Sequence, residues 1–394
     1  MEPPLTHLQR NAPLEMLPPE IRRQLLSILA LAELGALVHA SPVFHQQYRL
    51  DRRHLLCSSL ETTLRSTTID ACAVCRTGSV EFCKTRTRDT VNRSLRAYQD
   101  GRSAAQYSIF TEDLTEEEAV GIATFLSCII KPLLRSYTTW ALGNLADASK
   151  LSQDREPLSR TEERRLIRAL YRFQLCCNLF GRGTHREEWA SWQPRSGFKS
   201  LEILKIFICM FEPWEVEEIA CVYTFAEEKY DQIFRDIRWD GTISRGLELL
   251  HYVHFKIRDH SHLVATTQEH ISWPTVNFLG NEALGRVAQV RRRQERLSDR
   301  DRKQQRRDPL PFEGDSDEPG VNGRITSRPP QAWTWAWRET YSNLYGYYIP
   351  DDVRRWAYVM WDAARLERMG AKEILLRQWE AEWGNDDPRA GLGI

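Results

Sequence analysis

The sequence lacks a net charge, a long apolar run and a paired set of cysteines. Its 54 basic residues balance 54 acidic ones, which argues against an overall electrostatic affinity for nucleic acid or for an anionic membrane. The most apolar stretches, residues 25–38 and 203–211, are shorter than the roughly 18–20 residues that span a bilayer. The nine cysteines are an odd number without framework spacing, so we interpret them as reduced thiols. No membrane-spanning or disulfide-framework protein is therefore expected.

The first residues also lack a secretory pattern, because no cationic start precedes an apolar run. Together with reduced cysteines, this predicts a cytoplasmic or nuclear protein. The chain of 394 residues exceeds the roughly 250–300 residues that one hydrophobic core usually organises. We therefore expect two packed units, or one core with appendages.

Common catalytic motifs are missing as well. The sequence contains no Gly-x-Ser-x-Gly nucleophile elbow, no Gly-x-x-x-x-Gly-Lys-Ser/Thr phosphate loop and no Gly-x-Gly-x-x-Gly dinucleotide motif. Without a catalytic constellation, the chain is expected to be a non-enzyme that needs no cofactor.

Two clusters contain residue types that bind metals. His251 and His254 are three residues apart, so on a helix their imidazoles would share a face, with His262 nearby. This is not the His-Glu-x-x-His pattern, and histidines bonded to backbone or carboxylates at a helix end explain the cluster more simply. A metal-dependent enzyme that uses these three histidines stays a minor alternative. Cys72-x-x-Cys75 lacks the second close pair that structural zinc requires, so we interpret these cysteines as free thiols.

Helical periodicity and helix-initiating patterns are abundant, whereas strand signals are sparse and short. Prolines at first-turn positions and Ser/Thr-x-x-Glu capping boxes at Thr115 and Ser159 precede apolar runs. Helices are predicted at 19–30, 32–39, 42–49, 51–64, after Ser159 as far as Gly181, from Trp214 to Phe234, at 352–369 and at 371–383. The predicted fold class is therefore all-α, with a small N-terminal helical unit over 14–60 and a larger irregular helical domain over 61–290.

Residues 291–330 interrupt this pattern. They are rich in charge, proline and glycine, and they have too little apolar surface to offset the entropy of ordering, so we predict a disordered charged insertion. Its basic run suggests a nuclear-import signal, but direct nucleic-acid contact is not expected because interleaved aromatic residues are missing. Residues 331–394 contain seven of the 13 tryptophans. Such aromatic area must be buried, so we predict that this tail packs back on the helical domain.

The N-terminal block over residues 14–60 is rich in leucine. Its predicted helices are too short to be stable alone and must pack against one another. Because the leucines exceed what so small an interior needs, we predict a docking surface for a partner protein. The alternative is that these helices are part of the chain's own core.

At these residues the sequence resembles an F-box. The carrying segments are Leu17-Pro18-Pro19-Glu20, the helix from Ile21 to Leu29, Leu34 to Val38, and Phe44. Residues 37–42, 168–181, 213–219 and 358–362 are also similar to F-box-like proteins of filamentous fungi. The resemblance implies a three-helix unit that binds the Skp-type adaptor of cullin–RING ubiquitin ligases. The helical body would then hold a protein substrate whose identity the sequence does not give.

The leading hypothesis is thus a non-catalytic, substrate-recruiting adaptor. The expected partner-binding residues are Leu17, Pro18, Ile21, Leu25, Leu29, Leu34 and Val38. The alternative is a structural or regulatory interaction protein whose F-box-like helices belong to its own core.

Overall fold

The structure of the chain is a computed structural model. It describes residues 13–103, 114–181, 198, 200–233, 284–286, 288–289, 299–310 and 328–390. Throughout these residues the regular structure is helical, and an isolated antiparallel bridge joins Pro309 to Thr340 without forming a strand. The predicted all-α fold class is confirmed.

The helices follow in chain order. They are α1 Pro19–Ile28, α2 Leu31–Ala40, α3 Pro42–Leu50, α4 Arg52–Leu64, α5 Thr68–Thr77, α6 Val80–Thr85, α7 Arg88–Ser103, α8 Glu116–Phe125, α9 Lys131–Ser149, α10 Arg160–Phe180, α11 Ser200–Ile206, α12 Pro213–Ile233, α13 Asp299–Arg306, α14 Gln331–Ala336, α15 Asp351–Arg355, α16 Ala363–Arg368 and α17 Ala371–Glu382. Short 3-10 helices lie at Pro13–Met16, Arg65–Thr67, Ile208–Met210, Gly346–Tyr348 and Tyr358–Met360, and a π-helical turn at Leu126–Ile130.

The chain divides into two compact units. The first comprises Met1–Thr68 and Gln106–Phe125, and the second comprises Ile69–Ala105 and Leu126–Ile394. The first unit is therefore larger than the predicted block 14–60, because α8 packs against α4. This pairing joins segments about fifty residues apart, so local sequence patterns do not predict it.

The helices of the first unit begin where their caps predict. Pro42 opens α3, and the backbone N–H of Phe44 donates to the Ser41 hydroxyl at 3.3 Å. Thr115 and Glu118 form the predicted capping box of α8, with hydrogen bonds of 3.2 and 3.0 Å. The interior is a small apolar cluster of buried residues: Leu26, Leu34, Val38, Phe44 and Leu55.

The second unit is built around α10 and α12, which pack against each other. Ser159 and Glu162 form the predicted capping box of α10, and the helix ends before Gly181 as predicted. Almost the whole of α10 is buried, as is most of the first half of α12. The polar residues of α12 do not all face solvent, because the carboxylates of Glu215, Glu217 and Glu218 lie in the interior.

The Trp-rich segment lies within the second unit. The Trp333 ring contacts Trp214 of α12 at 6.4 Å between centroids, and the Arg354 guanidinium pairs with the Glu217 carboxylate at 2.7 Å. The single helix predicted at 352–369 is wrong. Ala357 adopts a left-handed backbone conformation with φ of 55°, which ends one helical turn and leaves α15, a 3-10 turn and α16 in its place.

Part of the segment predicted as a disordered insertion is helical. Residues 299–306 form α13, and the buried Gln304 side chain accepts a hydrogen bond of 2.8 Å from the Asn343 backbone N–H. This tertiary contact, which charge and composition do not predict, contributes to the ordering of α13. Most of the remaining segment between 291 and 330 lies outside the described residues.

One helical stretch, Glu116–Ser149, is long and apolar enough to cross a membrane by length and composition alone. It corrects the expectation that the most apolar stretches lie at 25–38 and 203–211. A third of its most apolar window is buried inside the protein, and Ile130 and Leu133 are core residues. Core helices of other proteins meet the same criterion, so the stretch is weak evidence of a membrane span.

Candidate functional site

The candidate site is the outer face of the first helices of the N-terminal unit. It begins at the 3-10 turn Pro13–Met16, which two hydrogen bonds hold in place. The Arg22 Nη1 donates to the Glu15 carbonyl at 2.9 Å, and the Ser41 hydroxyl donates to the Glu15 carboxylate at 2.6 Å. These contacts fix the turn beside α1 and beside the start of α3.

Helix α1 is buried on one face and open on the other. Leu26 is fully buried in the core cluster, and Leu25 and Leu29 pack against that cluster while keeping part of their surface accessible. Ile21 and Ile28, seven residues apart and so on one helical face, are 46% and 64% exposed. The helix therefore presents large apolar side chains to solvent.

The exposed apolar side chains of this region form what we call the α1 surface. Its members are Leu14, Met16, Ile21 and Ile28, with the accessible parts of Leu17, Leu25 and Leu29. Met16 is the most exposed of them at 71%. Exposed apolar groups this close in sequence on a small helical unit are typical of protein-interaction sites.

The partner-binding residues predicted from the sequence separate into three groups. Pro18 and Ile21 are exposed, and Leu17, Leu25 and Leu29 are half-buried. Leu34 and Val38 are buried in the core cluster, so they cannot contact a partner without repacking of the unit. Their assignment to the docking surface is corrected for this reason.

Sequence reasoning missed Leu14, Met16 and Ile28 as members of the surface. For Ile28 the signal was available, because it lies seven residues after Ile21 and continues the same stripe. For Leu14 and Met16 no periodicity exists, since a four-residue 3-10 turn is too short to establish one.

Charged and polar groups lie beside the α1 surface. Glu20 and Gln24 are exposed, and the Arg23 guanidinium pairs with the Asp51 carboxylate at 3.4 Å. That ion pair connects α1 with the α3–α4 turn, and the Gln47 side-chain amide of α3 also donates to Asp51 at 3.0 Å. Apolar residues bordered by polar ones are the usual arrangement of a protein–protein interface.

The comparisons with known proteins give no relative for this chain. No family model matches the sequence, and no curated protein or solved structure is similar to it.

The second unit contains a different cluster of functional groups, namely buried ion pairs. The Arg172 guanidinium contacts the Asp70 carboxylate at 3.0 Å and the Glu215 carboxylate at 2.6 Å, and Arg102 lies 3.2 Å from Glu215. The Tyr98 hydroxyl donates to Asp70 at 2.5 Å. Two arginines balance two carboxylates, so the cluster is neutral overall.

Burial and charge act in opposite directions on these groups. Burial by itself would raise the pKa of Glu215, but the charges of Arg172 and Arg102 outweigh it and hold that pKa well below its usual range. Burial, reinforced by the Asp70 charge, raises the pKa of Tyr98. At neutral pH Glu215 is ionised and Tyr98 is protonated, which is the state that a structural ion-pair network requires.

Metal binding finds no support in the part of the chain that the structure describes. Among those residues, no group of three His, Cys, Asp or Glu side chains is arranged to hold an ion. Cys72 is buried and Cys75 half-buried, and neither is in a disulfide bond. His251, His254 and His262, the residues of the metal-enzyme alternative, lie outside the described residues.

Proposed function

We propose that the chain is a non-catalytic adaptor that docks the Skp-type subunit of a cullin–RING ubiquitin ligase through its α1 surface. The observation that carries the proposal is the exposure of Ile21 and Ile28 on a helix that is anchored to the core cluster by the fully buried Leu26. A rigid amphipathic helix with an unpaired apolar face suits insertion into a hydrophobic groove. The F-box resemblance of residues 17–44 names the partner.

The architecture supports this division of labour. Docking would use the first unit, and the second unit would present a substrate protein. The unit bearing the α1 surface has its own apolar core, so the surface is presented on a preformed scaffold. Preorganisation of this kind lowers the entropic cost of binding. Ligation chemistry would belong to the partner complex.

A second candidate is a structural or regulatory interaction protein whose F-box-like helices belong to its own core. The burial of Leu34 and Val38 favours it, because two of the seven expected partner residues are already occupied within the chain. The two candidates differ in whether a Skp-type protein binds the α1 surface.

The test is binding of purified full-length chain to a purified Skp-type adaptor, measured by isothermal titration calorimetry. We expect a dissociation constant between micromolar and nanomolar, which corresponds to a binding free energy on the order of −8 to −12 kcal/mol. The double variant Ile21→Asp, Ile28→Asp should abolish binding, since it places two charges in an apolar contact. Both residues are exposed, so the circular dichroism spectrum and thermal midpoint should stay those of the wild type.

The matched control is Leu376→Asp, which introduces one charge at an exposed leucine of α17 in the second unit. It should bind the adaptor as the wild type does. Absence of binding by the wild-type chain would contradict the adaptor proposal and favour the second candidate.

A further inference from the structure

Five Ser/Thr residues in the sequence have an arginine three positions before them. They are Thr68, Ser79, Thr138, Ser261 and Ser327. Arginine-directed protein kinases read this spacing because acidic groups of the kinase bind the guanidinium while the hydroxyl enters the active site. The spacing is common by chance, so the structural surroundings of each hydroxyl decide whether a kinase can reach it.

Two of the described matches are inaccessible to a kinase. Thr68 is buried, and its hydroxyl donates to the Arg65 carbonyl at 2.6 Å. Thr138 lies in the middle of α9, where its hydroxyl donates to the Leu134 carbonyl at 2.8 Å. A kinase would have to unwind a long, packed helix to reach it. Ser261 and Ser327 lie outside the described residues.

Ser79 has the opposite surroundings. It lies in the turn between α5 and α6, and Arg76, Gly78, Ser79 and Val80 are all exposed. Its hydroxyl donates to the Arg76 carbonyl at 2.9 Å and accepts from the Phe82 backbone N–H at 3.1 Å. Arg76, in the last turn of α5, and the Ser79 hydroxyl, in the turn that follows, are therefore both presented at the surface.

The segment after Ser79 can open at low cost. Kinases bind substrate residues in an extended conformation, so the last turn of α5, the turn that follows it and the start of α6 must unfold locally. The opening of α5 includes the buried Thr77, whose hydroxyl donates to the Ala73 carbonyl at 2.6 Å. Helix α6 spans six residues and buries none of them. A helix this short has little intrinsic stability, and without buried contacts its local opening requires a small fraction of the global unfolding free energy.

Val80 completes the pattern. It follows Ser79 directly and is 67% exposed, although it is a large apolar residue with no core to fill. Many arginine-directed kinases have an apolar subsite for the residue after the acceptor. The exposed Val80 side chain is therefore available to such a subsite.

We propose that Ser79 is a phosphorylation site for an arginine-directed Ser/Thr kinase, with Arg76 and Val80 as its recognition residues. In the transfer, the Ser79 oxygen bonds to the γ-phosphorus of ATP, and the bond from that phosphorus to the ADP oxygen breaks. The hydroxyl proton passes to the catalytic base of the kinase. The product carries about −1.5 to −2 charges at pH 7 next to Val80, which converts an apolar spot into an anionic one.

The experiment incubates the full-length chain with the catalytic subunit of cyclic-AMP-dependent protein kinase and magnesium ATP, and maps the phosphate by mass spectrometry. We expect modification of Ser79 with Thr68 and Thr138 unmodified. Ser79→Asn should lose that phosphate while keeping a side-chain acceptor at the start of α6. Arg76→Gln should lower kcat/KM at Ser79 by about tenfold to a hundredfold, the usual effect of losing a charge-assisted hydrogen bond.

Arg135→Gln is the matched control, since it removes the arginine of the Thr138 match. It should leave the rate at Ser79 unchanged. The proposal is overturned by an unmodified Ser79, or by a rate at Ser79 that is the same in Arg76→Gln as in the wild type. The inference does not depend on the proposed adaptor function.

Discussion

Arginine is the residue that shapes the interior of the second unit. The Arg354 guanidinium binds both oxygens of the Glu217 carboxylate at 2.8 and 2.7 Å, and Arg365 binds both oxygens of Glu162 at 2.8 Å. These two-point contacts need the planar fork of a guanidinium, which the single ammonium of lysine does not offer. Arginine-to-lysine substitution at these sites is therefore not conservative.

The pH dependence of stability should report on Glu215. Its pKa is lower in the folded chain than the ordinary value of about 4.3, so folding favours the ionised carboxylate. This contribution to the free energy of unfolding is complete above the unfolded pKa and is lost as the pH falls toward the folded one. Urea titrations between pH 7 and pH 3 should show that the free energy of unfolding decreases once the pH is lower than about 4.3.

Glu215→Gln should be less stable than the wild type at pH 7, and the difference should shrink at pH 3. Arg160→Gln, an exposed change on α10 that removes no titrating group from this range, should follow the pH profile of the wild type. A constant difference between wild type and Glu215→Gln from pH 7 to pH 3 would contradict the assigned shift.

Helix ends connect separate elements of the second unit. The Glu162 carboxylate, which caps α10, also accepts from the Asp362 backbone N–H at 3.0 Å at the start of α16. In return the Asp362 carboxylate accepts from the Thr161 hydroxyl at 2.5 Å and pairs with Arg165 at 3.0 Å. Each carboxylate thus serves the start of the other helix, which joins residues about 200 positions apart.

Two glycines of the second unit should respond in opposite directions to substitution by alanine. Gly346 has a left-handed φ of 79°, and a Cβ there would lie 2.2 Å from the Gly285 backbone nitrogen. Gly143 lies within α9, and a Cβ there meets nothing within 4 Å. Gly346→Ala should destabilise the unit by more than about 1 kcal/mol, whereas Gly143→Ala should stabilise it by about 0.4–1 kcal/mol.

Urea unfolding measures both glycine variants, and each serves as the control for the other. The close approach at Gly346 would be disproved if Gly346→Ala unfolded at the same urea concentration as the wild type.

At the scale of the whole molecule, the tail is an integral part of the second unit. Trp333, Trp337, Trp356 and Trp361 are fully buried, and the Trp361 indole N–H donates to the Trp356 carbonyl at 2.7 Å. Their burial removes a large apolar area from water. It follows that α10 and α12 depend on residues more than a hundred positions away for a complete core.

Deletion of residues 328–394 should therefore unfold the second unit. The loss removes six buried tryptophans, four of them fully buried, and leaves the buried Glu217 carboxylate without Arg354. Hydrogen exchange followed by mass spectrometry should show amides 166–177 of α10 protected in the full chain and unprotected in the deletion. The exposed-surface variant Leu376→Ala should retain wild-type protection. A deletion chain with α10 still protected would show that the tail is dispensable.

The sequence by itself determined where many helices begin and end, because those signals are local. Ser41-Pro42, Ser159-x-x-Glu162 and Gly181 each act within one turn, and the structure has helix boundaries at all of them. The α1 surface could also be predicted in part, since Ile21 and Leu25 follow helical spacing.

Tertiary structure alone decided which apolar and charged groups meet. A leucine-rich segment looks the same in sequence whether its side chains dock a partner or fill a core. In the first unit, packing buries Leu34 and leaves Ile21 exposed. Glu217 and Arg354 are 137 residues apart, and no spacing rule connects them. Long-range pairing depends on how helices pack in space, whereas capping and periodicity depend on neighbours along the chain.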